Sequence, residues 1–202
     1  MPPSGSASVA TATIRGIEAV PVVVEVSASG GIPGLSIVGM PDSAILEARS
    51  RVRCAMRACG FTIPRLHITI NLAPGEMKKS GTGFDLPIAV AILVATGQID
   101  PTVTRDHLFV GELALDGTVN AVRGVVAYAI TARNEGLGLV TSSESFLPTS
   151  YGETNLGITA LAQLREGLSG LRRLRAQPSE PGRGHEHRNI EKLDYADVVD
   201  QE

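Results

Sequence analysis

The chain has 202 residues, of which 43% are hydrophobic and 19% are charged, and its formal net charge is −3 at pH 7. This length suits one globular domain with short appendages. The acidic balance excludes a chain that is basic over its whole surface, as many nucleic-acid binders are. The aromatic content of 3%, without tryptophan, argues against an aromatic platform for stacking single-stranded nucleic acid.

The charges are distributed unevenly along the chain. Residues 49–79 contain seven Lys or Arg and one acid, which gives a local net charge of +6. Residues 189–202 contain five acids and one Lys, which gives −4. A charge run usually forms a solvated face, and a basic patch can also meet phosphates or an acidic partner. Both interpretations of the basic run remain open.

No targeting or membrane segment is recognisable in the sequence. Residues 1–8 are small and lack the basic and apolar regions of a signal peptide. The longest apolar run, 86–95, is far shorter than the ~20 residues that cross a bilayer as a helix. We therefore expect a cytoplasmic chain that does not span a membrane.

The N-terminal part predicts a flexible tail followed by a β-meander. Small residues predict the tail over 1–10. Alternating or β-branched residues predict strands at 11–17 and 22–29, with a turn at 18–21, and a short strand at 35–38.

One amphipathic helix is predicted next. Asp42 fits its N-cap, apolar residues then recur at steps of three and four up to Cys59, and Gly60 suits its C-terminal stop. Its arginines fall mostly off the apolar face. Cys54 and Cys59 match neither a redox pair nor a zinc pattern, so we expect buried thiols.

A glycine-rich loop separates two further elements. The alternation over 66–71 predicts a strand with one buried face. Residues 86–96 are apolar nearly all round, which predicts a buried helix. Asp85 directly precedes this helix and is expected to cap it.

The second half continues with mixed elements. Asp116-Gly117 is a strong hairpin signal. Periodicity predicts strands at 107–115, 118–122, 137–141 and 157–160 and helices at 124–134 and 161–174. The expected class is α+β (α/β in loose usage), with a mixed or antiparallel sheet packed by helices. Beyond residue 176 the composition turns to Pro, Gly, Ser and charge, which predicts a flexible linker.

Five separated motifs occur together and in order. They are GLSIVGMPD (34–42), EARSRVR (47–53), ITINLAP (68–74), GFDLPIA (83–89) and GELALDG (111–117). With these motifs the chain resembles the N-terminal domain of the magnesium chelatase-like AAA+ family that includes ComM and YifB. The resemblance implies a Lon-protease-like domain of the ribosomal protein S5 domain 2-like fold over residues 11–175.

The resemblance also implies what surrounds this domain. In the family a linker leads to an AAA+ ATPase module, and residues 176–202 look like the linker and the approach to that module, before which the chain stops. ATP and Mg²⁺ are expected only in the missing module, so no cofactor is expected here. The implied partners are the chain's own ATPase module, further copies in a hexamer, and possibly DNA.

The peptidase chemistry of Lon-like proteins looks lost. Their loop reads Gly-Pro-Ser-Ala-Gly with the serine as nucleophile, and the corresponding run here places Gly83 at that position. Their lysine base corresponds to Val126. Glycine has no side chain to attack a carbonyl, and the valine side chain cannot accept or donate a proton, so no catalytic residue is expected. Ser80 beside Lys79 is a weak substitute, because neighbours in a loop rarely share the required geometry.

Other candidate binding segments of the sequence also fit purely structural roles. The segment 75–82 contains Lys and Ser without the spacing of a nucleotide-binding P-loop, although glycine-rich loops can hold anions through backbone N–H groups. A structural turn is the default for Gly81, Gly83 and Asp85. His185-Glu-His187 is too short and isolated for a zinc site, so no metal is expected.

The expected role is therefore non-catalytic assembly or DNA contact within an ATP-driven motor for branch migration in natural transformation. The residues expected to contact phosphates are Arg49, Arg51, Arg53, Arg57, Lys78 and Lys79. A residual serine peptidase or hydrolase, and a purely structural oligomerisation module, remain as alternatives.

Overall fold

A long antiparallel hairpin opens the fold. The computed structural model describes residues 5–148, 154–174 and 176–177. The hairpin strands are β1 (Gly5–Arg15) and β2 (Glu18–Ser29), which pair along their whole length. The connection is the two-residue turn Gly16-Ile17, in which Gly16 has a φ of +64°. Glycine suits this left-handed conformation because it has no Cβ.

Two predictions for this region are wrong. Residues 5–10 lie in β1 and not in a tail, whereas residues 1–4 lie outside the described part. Residues 18–21 belong to β2 and not to a turn. The Ser and Ala residues of 5–10 carry little strand propensity of their own, so pairing with β2 makes this segment a strand.

The next unit is a parallel pair of strands joined by one helix. Its elements are β3 (Gly34–Val38), α1 (Ser43–Ala58) and β4 (His67–Ala73). Asp42 caps α1 as predicted, because its Oδ1 accepts the Ile45 N–H at 2.9 Å. The predicted helix and the strand with one buried face are thus confirmed.

The central helix α2 (Asp85–Ala95) is buried nearly all round, as its sequence predicts. A 3-10 turn, Thr82–Phe84, leads directly into it. The helix packs against β1, β2 and α1. It supplies the middle of the larger hydrophobic core, which explains why its sequence is apolar from Leu86 onward.

A small hairpin and a third helix follow. The elements are β5 (His107–Phe109), β6 (Glu112–Leu113), β7 (Val119–Asn120), α3 (Val125–Asn134) and β8 (Gly138–Ser142). The hairpin signal is confirmed, since β6 and β7 are antiparallel. The predicted strand over 107–115 is divided, because β5 instead pairs in parallel with β1 and β8.

The C-terminal elements are short. They are β9 (Leu147–Pro148), β10 (Leu156–Ile158), β11 (Arg172–Arg173) and β12 (Ala176–Gln177). The predicted closing helix over 161–174 is wrong: residues 161–166 form a 3-10 turn that ends at Gly167, whose φ is +72°. The rest of the predicted linker, 178–202, lies outside the described residues.

Eight of the strands form one mixed sheet with a core on each face, whereas β6 with β7 and β9 with β12 form two separate two-stranded sheets. The order of the mixed sheet is β11-β10-β8-β5-β1-β2-β4-β3. Val9 belongs to the core under α1 and α2, whereas Ala12, on the opposite face of β1, belongs to the core under α3. This arrangement fits the α+β class. Among the described helices, none combines the length and apolar character needed to cross a membrane.

Candidate functional site

The glycine-rich loop between β4 and α2 is held against the start of α1. The backbone N–H of Lys79 donates to Met40 O at 3.1 Å, and Asp42 N donates back to Lys79 O at 3.0 Å. The Asp42 carboxylate also accepts the Gly81 N–H at 3.1 Å. One residue therefore both caps α1 and fixes the loop.

Lys79 is buried and cannot contact a phosphate at the surface. Its side chain has 0% exposure, and its ammonium donates to the carbonyl oxygens of Gly39, at 3.0 Å, and Pro74. Burial lowers the pKa of Lys79, and the nearby charge of Glu76 opposes this. The sequence prediction of a phosphate contact is corrected here, since Lys79 joins two loops from within.

The same geometry does not assemble a Ser80–Lys79 pair. The Lys79 ammonium is hydrogen-bonded to backbone carbonyls, whereas the Ser80 side chain is exposed. The Ser80 backbone N–H donates to Thr13 Oγ1 at 3.2 Å. Within the described part of the chain, no hydrogen bond joins the Lys79 ammonium to the Ser80 hydroxyl.

Asp85 is a buried ion-pair partner and not a helix cap. Its carboxylate accepts the Arg51 Nε–H at 2.6 Å, a second Arg51 N–H at 3.0 Å, and the Leu113 backbone N–H at 3.1 Å. Burial raises the pKa of Asp85, and the hydrogen bond from Arg51 opposes this. The prediction failed because Asp85 is the first residue inside α2, so its side chain turns toward α1 and β6.

Arg51 is correspondingly engaged. Its guanidinium also donates to the Ala44 carbonyl at 2.9 Å, and 19% of its side chain is exposed. The hydrogen bond to Asp85 raises the pKa of Arg51. The expected phosphate contact is therefore corrected for Arg51 as well, because its charge is already paired within the fold.

Gly83 occupies a position with no room for a side chain. A Cβ at this position would lie 2.9 Å from Cγ2 of Val110, and 3.6 Å from both Tyr128 Oη and Val122 Cγ1. Gly81 is exposed and has a φ of +99°, which favours glycine. Packing at position 83 and backbone conformation at position 81 thus both favour glycine.

Tyr128, and not Val126, faces Gly83 from helix α3. Val126 is 37% exposed. Only 5% of Tyr128 is exposed, and this burial raises the pKa of its hydroxyl to about 12. Sequence reasoning missed Tyr128; its signal was that a single aromatic residue interrupts a helix of small and β-branched residues.

Gly83 and Tyr128 border an open groove of about 640 Å³ between the loop and the start of α3. Its polar lining comes from Ser80, Thr82, Glu112, Arg123 and Tyr128.

Comparison with known proteins identifies the family. Residues 24–145 match the family model described as subunit ChlI of Mg-chelatase. The chain belongs to this magnesium chelatase-like family.

The relatives of this magnesium chelatase-like chain include two proteins called YifB. It is 41% identical to uncharacterized protein YifB of Salmonella typhimurium over 69% of the chain, and 40% identical to that of Escherichia coli over 67%. It is 39% identical to competence protein ComM of Haemophilus influenzae over 64% of the chain. The matches cover only 28%, 27% and 26% of these relatives, respectively.

Three other arginines of the magnesium chelatase-like domain form an exposed stripe on α1. Arg49, Arg53 and Arg57 recur every four residues and therefore lie along one side of the helix. Within the described ranges, no carboxylate forms a salt bridge with them. Arg49 and Arg53 line a shallow hollow of about 550 Å³, and Lys78 is exposed on the neighbouring loop.

The cysteines and histidines offer little binding chemistry. Cys54 is exposed and Cys59 is half-buried, so the prediction of buried thiols is wrong. Cys54 falls on the solvent side of α1, one residue beyond Arg53. In the part of the chain that the structure describes, no group of three or more His, Cys, Asp or Glu residues is placed to hold a metal ion. His185 and His187 lie outside it.

Proposed function

We propose that this chain is the Lon-protease-like, peptidase-inactive N-terminal domain of an ATP-driven DNA-processing motor. The observation that carries the proposal is the close packing at Gly83, where Val110 occupies the space of a nucleophilic side chain. The mixed sheet with helices on both faces supports a ribosomal protein S5 domain 2-like fold. Membership of the magnesium chelatase-like family supports an AAA+ ATPase module, with ATP and Mg²⁺, elsewhere in the whole protein.

The domain contributes contacts rather than turnover. The stripe of Arg49, Arg53 and Arg57, together with Lys78, supports a sequence-independent contact to DNA phosphates, since these charges are exposed and unpaired among the described residues. The relative called competence protein ComM supports a role in competence. Branch migration during natural transformation is the motor activity that the family resemblance implies for the whole protein. In the whole protein, this contact works within a hexamer.

A salt titration tests the DNA contact. Binding of the chain to duplex DNA is measured by fluorescence anisotropy, in parallel with a variant carrying Arg49→Ala, Arg53→Ala and Arg57→Ala. The slope of log K against log salt falls by about 2.7 when three phosphate contacts are lost.

The matched control removes three exposed arginines outside α1, namely Arg15, Arg105 and Arg172. This control keeps the parent slope if the stripe binds DNA. Equal slopes for the α1 variant and the parent would contradict the contact. Absence of DNA binding by the parent chain would favour the oligomerisation module.

The peptidase alternative has its own test. A serine-reactive phosphonate probe is expected to leave the chain unlabelled, because the Lys79 ammonium is bonded to the Gly39 and Pro74 carbonyls and is not available to Ser80. Stoichiometric labelling that Ser80→Ala abolishes would support a residual hydrolase instead.

A further inference from the structure

Two backbone donors at the groove have no acceptor. The N–H groups of Thr82 and Gly83 begin the 3-10 turn that continues into α2, and no acceptor for either lies in the described part of the chain. The preceding Ser80 and Gly81 differ, because each donates to a side-chain oxygen, at 3.2 and 3.1 Å. Free N–H groups at the start of a helical segment favour an anionic ligand.

The Tyr128 hydroxyl supplies an independent indication of a ligand. Only 5% of the residue is exposed. Its hydroxyl oxygen lies 3.6 Å from the position that a Cβ atom would occupy at Gly83. Across the described ranges, no hydrogen-bond partner of this hydroxyl is present. Burial raises its pKa to about 12, so it remains a protonated donor at neutral pH. The ring is buried while the hydroxyl opens onto the groove, so only water or a ligand in the groove can satisfy it.

The charges around the groove permit an anion. Arg123 lines it, is exposed, and forms no salt bridge with any described residue. Glu112 also lines the groove, and its negative charge opposes the binding of an anion. Glu112 lies within electrostatic reach of both members of the Arg51–Asp85 ion pair, whose charges oppose each other. The charges of Arg123 and Glu112 therefore balance, and the Tyr128 hydroxyl adds a neutral donor to the groove.

We propose that this groove binds an oxyanion, a phosphate or carboxylate group, through the N–H groups of Thr82 and Gly83, the Tyr128 hydroxyl and the Arg123 guanidinium. The site is separate from the arginine stripe on α1, because it lies between the loop and α3. An oxyanion accepts several convergent hydrogen bonds, and each charge-assisted bond is stronger than a neutral one. This site does not require the proposed DNA contact.

Nuclear magnetic resonance of the ¹⁵N-labelled chain tests the site. Inorganic phosphate and acetate are titrated separately at constant ionic strength, with chloride as the reference anion. Saturable shifts of the Thr82 and Gly83 amide signals are expected with at least one of the two. Saturation by phosphate alone or by acetate alone identifies the oxyanion.

Variants separate binding from general salt effects. Tyr128→Phe keeps the ring and removes only the donor, and is expected to weaken binding about tenfold. Arg123→Ala is expected to weaken it similarly, whereas the control Arg105→Ala leaves it unchanged. An adventitious ion only is the result if chloride reproduces the shifts, or if neither Tyr128→Phe nor Arg123→Ala alters them. Absence of shifts with both oxyanions also overturns the proposal.

These outcomes are distinguishable from failure of the DNA contact. Loss of phosphate binding in Tyr128→Phe with an unchanged DNA salt slope assigns the two effects to different surfaces. Shifts confined to the amides of α1 would instead locate the anion at the arginine stripe and contradict the groove site.

Discussion

Gly83 is the position at which the resemblance to Lon-like proteins predicts a missing nucleophile. The sequence predicts the loss of the nucleophile, and the structure adds that the neighbouring Val110 methyl occupies the available space. A hydroxymethyl group at this position therefore needs a backbone or side-chain shift. Position 83 is part of the packing between the loop and the segment that precedes the small hairpin.

Gly83→Ser is accordingly expected to destabilise the chain without creating peptidase activity. Overpacking of this kind costs about 1–3 kcal/mol in the free energy of unfolding, measured by urea denaturation. Gly75→Ser is the matched control, because a Cβ there meets nothing within 4 Å. Equal stability of the two variants, or cleavage of a casein substrate by Gly83→Ser, would contradict this account.

Adjacent lysines provide a second comparison at the residue scale. Lys79→Met removes the ammonium and leaves the Gly39 and Pro74 carbonyls without their donor. The free energy of unfolding is expected to fall by about 1–3 kcal/mol. Lys78→Met is the control, since this exposed side chain should change stability by less than about 0.5 kcal/mol. A similar loss in both variants would show that charge alone, and not the buried hydrogen bonds, matters.

At the scale of elements, the Arg51–Asp85 pair joins α1 to α2 and extends to β6. Two side-chain hydrogen bonds and the Leu113 N–H satisfy the buried carboxylate. Such a pair contributes less than its Coulomb attraction suggests, because both groups lose hydration. Removing Asp85 is costly, because the largely buried Arg51 guanidinium then keeps, among the described residues, only the exposed Glu47 carboxylate, at 3.6 Å, as a salt-bridge partner.

Asp85→Ala is therefore expected to lower the free energy of unfolding by about 3 kcal/mol, as measured by urea denaturation. Glu47→Ala is the control: this carboxylate is 3.6 Å from Arg51, is largely exposed, and should contribute less than about 0.5 kcal/mol. If Arg51→Ala in the Asp85→Ala background costs as much as it does alone, the two residues are not coupled and the interpretation fails.

At the scale of the whole molecule, the sheet separates two hydrophobic cores of unequal size. The larger core contains α1 and α2, and the smaller contains α3. Elements with the most buried surroundings open least often. Opening of the buried helix α2 should therefore require the largest free energy of any element in the fold.

Hydrogen exchange measured residue by residue checks this order. The slowest backbone amides are expected in α2 and in the central strands β1 and β2, which pack together. The 3-10 turn at 161–166 is expected to exchange faster, because it is short and several of its side chains are exposed. Exchange in α2 as fast as in this turn would contradict the assignment of α2 as the central element.

Much of the fold follows from local sequence patterns. The spacing of apolar residues, Asp42 and Gly60 suffice to define α1, and the unbroken apolar run defines α2. These signals are local because a helix forms its backbone hydrogen bonds within itself. The extension of β1 to Gly5 is not encoded in this way, since its hydrogen bonds come from a partner strand.

For the candidate site, too, some properties follow from residue identity and others depend on contacts between distant segments. The sequence by itself determined that position 83 has no nucleophile and position 126 no base, because the chemistry of a side chain is a property of the residue. Only the tertiary structure decided that Lys79 and Arg51 are engaged inside the fold and that Tyr128 approaches Gly83. The partners that satisfy or bury a polar group come from distant segments, and the folded chain alone brings them within hydrogen-bonding distance.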